Sequence, residues 1–545
     1  MTNKVLIITG GLINAKESSF LSVLKKEILH TKSVQSAWLE YKIKAVAAEP
    51  IITAQLARKG DKVVQDYFSY KQSLDPPELT EVVLMGLLHD ENLPFEAITY
   101  HEIFANQEKT DEILRGCNAV FMSSTLLHDL SEMMPLVKMV KRPHNRIVVG
   151  GALAGSICHY WDGEPEVDIL AIGYGEMMMH ALAEWIKSDF TTLVPPERGR
   201  IIQKTHTKFL FSGVPETKNL DFLPTPNWQL AADYHKTTYD TIYYESVRGC
   251  PYRCSFCNYP FLFDDQKFRT KSAVRMADDW AFYVREMGVK YITCLDSLFT
   301  IPQKRLIEFC HLLIERNIQV KWICYARADD LADETITALM KKAGVHQVQI
   351  GIESGNQQQL DNMNKRCTLE SNYKALENCR KHGITTIVSF VVGFPGETQE
   401  TIRETFEFIR TAKPDFYFLA TFSTRVDGVP VLNTENRARF GLRTMDNPFT
   451  FAPYWTHFTM CCSDVGNHVR WLNRQIMTSK SSLEGALFWV GVLHYRPEDR
   501  AALLDYQHRL ATRYPLVTKL FDKTNRWIDK RLKKDVARNF EGIER

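Results

Sequence analysis

Arg248-Gly249-Cys250-Pro251-Tyr252-Arg253-Cys254-Ser255-Phe256-Cys257-Asn258 is the stretch on which the reading of this chain turns. Its spacing is Cys-x3-Cys-x2-Cys, on a loop that follows a predicted strand near 241–247. Three thiolates on one short loop can bind three irons of a 4Fe-4S cluster and leave the fourth iron open to a substrate or cofactor. A structural zinc would want a fourth ligand nearby, and the closest candidates, Cys294 and His235, stand at no zinc-ribbon spacing. A chance trio of core cysteines is the remaining alternative.

Working outward, residues 241–425 repeat strand then helix six times, with strands expected near 241–247, 290–295, 320–325, 346–352, 385–392 and 415–421. This predicts an α/β class with a central, partial (β/α)6 barrel. In parallel α/β barrels, ligands gather on loops beyond the strand carboxyl ends, where the cysteine loop stands. Residues 1–190 alternate short apolar runs with amphipathic stretches: 5–8, 97–100, 119–122, 147–149 and 169–172 read as buried parallel strands of a doubly wound, Rossmann-like domain. Residues 15–90 fit least well and read as an insertion or an elaborated first crossover. The stretch 191–240 carries Pro195-Pro196 and Leu223-Pro224-Thr225-Pro226, so it reads as a linker. Residues 426–545 form a mixed, mostly helical block that completes a substrate cavity or serves an accessory role, with Cys461-Cys462, His468, Trp471 and 485–493 as candidate lining.

The cysteine spacing, with the aromatic Phe256 just before the third cysteine, resembles the radical S-adenosylmethionine enzymes, over about 245–425. The resemblance implies that Cys250, Cys254 and Cys257 hold a 4Fe-4S cluster, that S-adenosylmethionine chelates the open iron, and that Phe256 lies beside the adenine. Gly351-Ile352-Glu353-Ser354-Gly355 ends the fourth strand, where glycines let a ligand approach and Glu353 can accept hydrogen bonds from ribose or amino groups. Arg327, after the third strand, is placed to pair with a carboxylate. Ser389 is a polar residue inside the apolar run Ile387–Val392, and Asp296 ends the second strand facing the site. Gly393-Phe394-Pro395-Gly396-Glu397 opens the next helix in agreement with the family order.

In the first block, Ser123-Ser124-Thr125, Gly150-Gly151-Ala152 and Gly173-Tyr174-Gly175-Glu176 all follow strand carboxyl ends, where doubly wound sheets bind ligands. Thr9-Gly10-Gly11-Leu12 lacks Gly-x-Gly-x-x-Gly, which disfavours a dinucleotide. Together with the block that follows, the arrangement resembles the cobalamin-binding domain that precedes the radical domain in one class of the superfamily. No Asp-x-His-x-x-Gly occurs in residues 1–190, so the resemblance implies cobalamin bound without a protein histidine on cobalt. His128 reads as a helix-start residue.

By this resemblance the chain is a cobalamin-dependent C-methyltransferase acting on a small molecule or peptide, with a radical rearrangement, ring contraction or cyclisation as the alternative. Methylthiotransferases need a second cysteine triad, and the first block has only Cys117 and Cys158. A reduced flavodoxin or ferredoxin is the expected electron donor. The 545 residues are 45% hydrophobic and 24% charged, enough for about three domains. With 67 basic and 65 acidic residues the net charge is +2, which gives no ground for a nucleic-acid or membrane partner. The longest apolar run, 485–493, is far short of the roughly 20 residues that span a bilayer, and no secretory leader is read at the start, so a cytoplasmic protein is expected.

Overall fold

Val5-Leu6-Ile7-Ile8 and the apolar runs like it are too short for a helix and offer no polar face to water, so they are stable only as strands covered on both sides. The computed structural model describes residues 3–10, 62–70, 76–127, 129–262, 264–424, 428–445, 453–486 and 490–513, with parts of 523–540. His128, most of the 15–90 insertion and residues 487–489 lie outside the described residues. Two units divide the chain: 1–14, 76–251 and 258–297 form the first, and 15–75, 252–257 and 298–545 the second.

The first unit is built on β1 (Val5–Thr9), β2 (Phe95–Thr99), β3 (Ala119–Ser123), β4 (Arg146–Gly150), β5 (Ile169–Ile172), β6 (Arg200–Gln203) and β7 (Lys208–Phe211), in the order β2-β1-β3-β4-β5-β7-β6. All neighbours are parallel except β6 with β7. The order 2-1-3-4-5 is that of doubly wound sheets whose ligands bind at the β1/β3 switch point. Leu6, Ile8, Val120, Met122, Ile147, Val149 and Leu170 form the buried core with helical residues such as Leu136 and Val137.

The expected linker 191–240 is corrected in part. Its prolines stand at 195, 196, 215, 224 and 226, leaving 200–211 free of them, and that alternating stretch adds β6 and β7 to the sheet. The rest is bound rather than free. Trp228 Nε1 donates to the Tyr243 carbonyl at 3.1 Å, and Tyr283 Oη donates to the Pro226 carbonyl at 2.8 Å. Residues 241–251 and 258–297 group with the first unit. Within it, β8 (Thr241–Tyr244) pairs in parallel with β11 (Tyr291–Cys294), and β9 (Val247–Arg248) pairs antiparallel with β10 (Arg269–Thr270). Helix Ala273–Arg285 starts on a Ser272 cap and buries Ala273, Met276, Ala277, Trp280 and Tyr283, a one-faced spacing.

In the second unit β12 (Lys321–Ala326), β13 (Val345–Glu353), β14 (Thr385–Val392), β15 (Phe416–Thr421) and the short β18 (Leu483–Glu484) pair in that order, all parallel. Strands therefore occupy all six positions expected between 241 and 425, with helices between them, and the α/β class holds. Beyond them β16 (Arg443–Met445) and β17 (Tyr454–Thr456) form an antiparallel pair. Helix Cys462–Thr478 packs Trp471 against Phe406 of helix Gln399–Ala412, so this tryptophan serves the packing of that helix pair. Cys461 and Cys462 form no disulfide. From the insertion, helix Lys62–Tyr70 sets Tyr67 against Phe416 and donates its hydroxyl to the Glu484 carbonyl at 3.1 Å. No helix among the described residues is long and apolar enough to cross a membrane.

Candidate functional site

In the first unit the limb that carries Cys250 is held from three sides. Asp296, buried at the end of β11, accepts from Ser246 N and Ser246 Oγ at 2.6 Å each and from Val247 N at 2.8 Å. Its carboxylate is thus spent on fixing the chain ahead of the cysteines. Ser297 Oγ donates to the Gly249 carbonyl at 2.8 Å. Gly249 itself has φ +76° and lies where an added Cβ would collide with the Lys267 carbonyl. Only glycine meets both conditions, and Gly249→Ala is expected to cost about 2 kcal/mol or more. Urea unfolding and iron retention on the variant measure this; an unchanged midpoint with full iron would contradict it.

Arg248, one residue earlier, makes a forked pair with Glu176 at 2.6 and 3.0 Å, reaches Glu245 at 2.8 and 3.0 Å, and lies 4.9 Å over the Tyr174 ring. Burial opposes its charge, yet the two carboxylates outweigh it and hold its pKa well above the ordinary value. Glu176 and Tyr174 are accordingly engaged within the protein. Ser124 Oγ donates to the Gly150 carbonyl at 2.7 Å and accepts from Ala154 N at 3.2 Å, tying the ends of β3 and β4. Ser123 is buried and donates to Thr125 Oγ1 at 3.2 Å. What stays open on this rim is small: Thr125 and Gly151 are exposed, Gly150, Ala152, Gly173 and Gly175 half-exposed, and the space around Gly175 is empty.

In the second unit the loop closes with Cys257 N donating to the Cys254 carbonyl at 3.1 Å. Residues 363–366 grip this loop. Ser255 N donates to the Met363 carbonyl at 2.8 Å, and Asn364 Nδ2 donates to the Arg253 carbonyl at 2.8 Å. Arg327 lies 3.9 Å over the Tyr252 ring and donates to the carbonyls of Lys365 and Arg366 at 2.9 and 3.1 Å. Lys365, which sequence reasoning missed, pairs with Glu353 Oε1 at 2.8 Å. Burial alone would lower its pKa, but Glu353 and Cys254 raise it, so it stays charged. Arg327 likewise feels Asp329 and Cys254. Two buried cations thus lie within electrostatic reach of one cysteine of the motif.

Glu353 adopts φ +65°, uncommon for a side-chain-bearing residue, at an irregularity in the β13/β14 register. Gly351 and Ser389 are register partners, Ser389 next pairs with Phe418, and all three are half-exposed while Val388 and Phe390 are buried. Ser389 thus faces the half-exposed side of the sheet, next to a glycine whose missing Cβ makes room for the Glu353–Lys365 pair. Phe256 is half-exposed and edges Phe394 with ring centroids 6.3 Å apart. Within this unit, Cys254, Cys257, Arg327 and Glu353 are joined through Lys365 and the 363–366 segment; Asp296 belongs to the other unit.

Comparison with known proteins agrees with the motif. Residues 244–409 match the model of the radical SAM superfamily. The chain is 36% identical over 170 residues to the anaerobic magnesium-protoporphyrin IX monomethyl ester cyclase of Rubrivivax gelatinosus, covering 31% of this chain and 30% of that one. With the enzyme of the same description from Cereibacter sphaeroides it shares 26% identity over 325 residues, 57% of this chain and 52% of that one. The chain thus spans about half or less of these relatives. The structure resembles that of the radical S-adenosylmethionine methyltransferase TsrM from Kitasatospora setae, solved with cobalamin and a [4Fe-4S] cluster bound, with TM-score 0.59 and 13% identity over 95% of this chain and 100% of that one. At that identity the likeness speaks for the fold.

Proposed function

From the premise that this chain carries a radical SAM domain at 244–409 within the fold of a cobalamin-binding radical SAM enzyme, we propose that it is a cobalamin-dependent C-methyltransferase acting on a small molecule or peptide. The observation that carries the reading is the cysteine loop: none of its three thiols is in a disulfide, and segment 363–366 fixes the backbone around Cys254 through Ser255 and Arg253. This donor set fits a 4Fe-4S cluster with one open iron. The half-exposed Ser389 and Phe418, on neighbouring strands of the sheet whose next strand ends at Glu353, are offered to a nucleoside with an amino-acid tail. The small, partly exposed rim of Thr125, Gly150, Gly151, Ala152, Gly173 and Gly175, open around Gly175, is offered to a broad cofactor such as cobalamin.

When bound, the cluster with S-adenosylmethionine supplies a 5'-deoxyadenosyl radical and cobalamin supplies a methyl group. The protein's part is to hold these groups, orient them and exclude water. Cys250, Cys254 and Cys257 would ligate the cluster, segment 363–366 fixes the loop at Arg253 and Ser255, and Arg327, paired with Asp329 at 2.8 Å, holds that segment through the Lys365 and Arg366 carbonyls. A cytoplasmic setting and a reduced flavodoxin or ferredoxin as donor accompany this reading.

The test is anaerobic reconstitution with iron, sulfide and cobalamin. About four irons and one cobalt per chain are expected. Incubation with S-adenosylmethionine and dithionite should then release 5'-deoxyadenosine. Iron without cobalt would sink the methyltransferase reading. The two cyclase relatives favour a second reading, ring closure with the same cofactors. Methyl-deuterated S-adenosylmethionine separates them, because only methyl transfer puts deuterium into the product.

A further inference from the structure

Glu176 stands on the β5 rim, among the residues read as cofactor contacts, yet its carboxylate is fully taken by Arg248, two residues before Cys250. The side chain of Glu176 is 9% exposed and that of Arg248 11%, so the forked pair is shielded from solvent and from salt. Tyr174 makes a second tie from the same loop. Its hydroxyl donates to Asp265 at 3.2 Å, and Asp265 pairs with Arg269, which is the register partner of Arg248 across β9 and β10. Tyr174 N in turn donates to Ser212 Oγ at 2.9 Å. Both side chains of the Gly173–Glu176 turn therefore grip the two-stranded ribbon that leads into Cys250, while the backbone at Gly175 remains open.

We propose that Glu176, Tyr174 and Arg248 are positioning residues that couple cofactor occupancy at the β5 rim to the geometry of the Cys250 limb. The proposal rests on the cobalamin reading above. A ligand seated on Gly175 presses on a turn whose only side chains are anchored to that ribbon, so a shift of the turn must move or strain the ribbon. The coupling is reciprocal: cluster assembly at Cys250 must alter cobalamin affinity by the same factor as cobalamin alters the cluster.

Hydroxocobalamin is titrated by absorbance into the full chain with and without a reconstituted cluster. The two wild-type affinities are expected to differ by about fivefold or more. In Glu176→Gln, which keeps shape and one acceptor but loses the charged fork, the ratio should fall below twofold while iron per chain is unchanged. Glu176→Asp should give an intermediate ratio, a gradation that loss of folding would not produce. Tyr174→Phe, which removes only the tie to Asp265, carries the same test should Glu176→Gln fail to hold iron. A wild-type ratio of one, or an unchanged ratio in the variants, overturns the coupling. Absence of cobalamin binding in either wild-type form overturns the underlying reading and the coupling with it.

Discussion

Replacing Cys250, Cys254 and Cys257 together by alanine should abolish iron uptake, from about four irons per chain to none, and leave cobalt at about one. The size of the effect follows from chelation. Each thiolate holds its own iron, so no partial site remains once all three are gone. Cobalt should persist because the rim of Thr125, Gly151 and Gly175 lies on β3, β4 and β5, whose core of Val120, Val149 and Leu170 is independent of the cysteines. Metal analysis and visible absorbance on the same preparation decide it. Retention of iron by the variant would move the cluster to other cysteines, whereas loss of both metals would mean that the first unit depends on the cluster for its structure. A single Cys254→Ala variant should be the most severe of the three single changes. Cys254 is the buried one of the three, and its carbonyl accepts the Cys257 N–H that closes the loop.

Much of this was legible in the chain because it depends on covalent order. The apolar runs 5–8, 119–122, 147–149 and 169–172 became strands because their length and composition allow little else, and the cysteine spacing is a property of the loop itself. What was hidden depends on pairings across long separations. Arg248 and Glu176 lie 72 residues apart, and nothing in either neighbourhood announces the other. Lys365 stands in Met363-Asn364-Lys365-Arg366, a stretch with no motif of its own, which Ser255 and Asn364 stitch to the cysteine loop. Asp296 is a further pairing that local order conceals. A carboxylate at a strand end was expected to face a ligand, and it accepts from three donors of Ser246 and Val247. The proline count misled for 200–211 because it was averaged over a window in which the strands themselves have none.

Glu397 offers a large effect of a different kind. It is 2% exposed, accepts the Gly393 N–H, and has no paired cation among the described residues. Burial pushes its carboxyl from 4.5 up to about 8, against the smaller pull of the Gly393 bond. The unfolded chain releases this proton above pH 4.5, while the folded chain keeps it to about pH 8. The unfolded state therefore binds fewer protons across that window, and Glu397 makes the fold less stable as pH rises from 4.5 to 8, with no further loss above. The full span corresponds to about 4 to 5 kcal/mol at most, from about 1.4 kcal/mol per pH unit. Glutamine keeps the acceptor for Gly393 and carries no charge to bury. Glu397→Gln should match wild type near pH 5 and exceed it by a few kcal/mol at pH 8. His457, whose Nε2 donates to the Gly393 carbonyl at 3.3 Å and whose pKa burial lowers to about 4, also titrates between folded and unfolded states. It acts in the opposite sense, costing stability as pH falls from 6.5 toward 4, and it is common to both proteins. The difference between wild type and variant isolates the carboxyl. Urea unfolding of both at pH 5, 6.5 and 8 reads it directly: a difference that does not grow with pH would mean that Glu397 is ionised in the fold and that a cation reaches it.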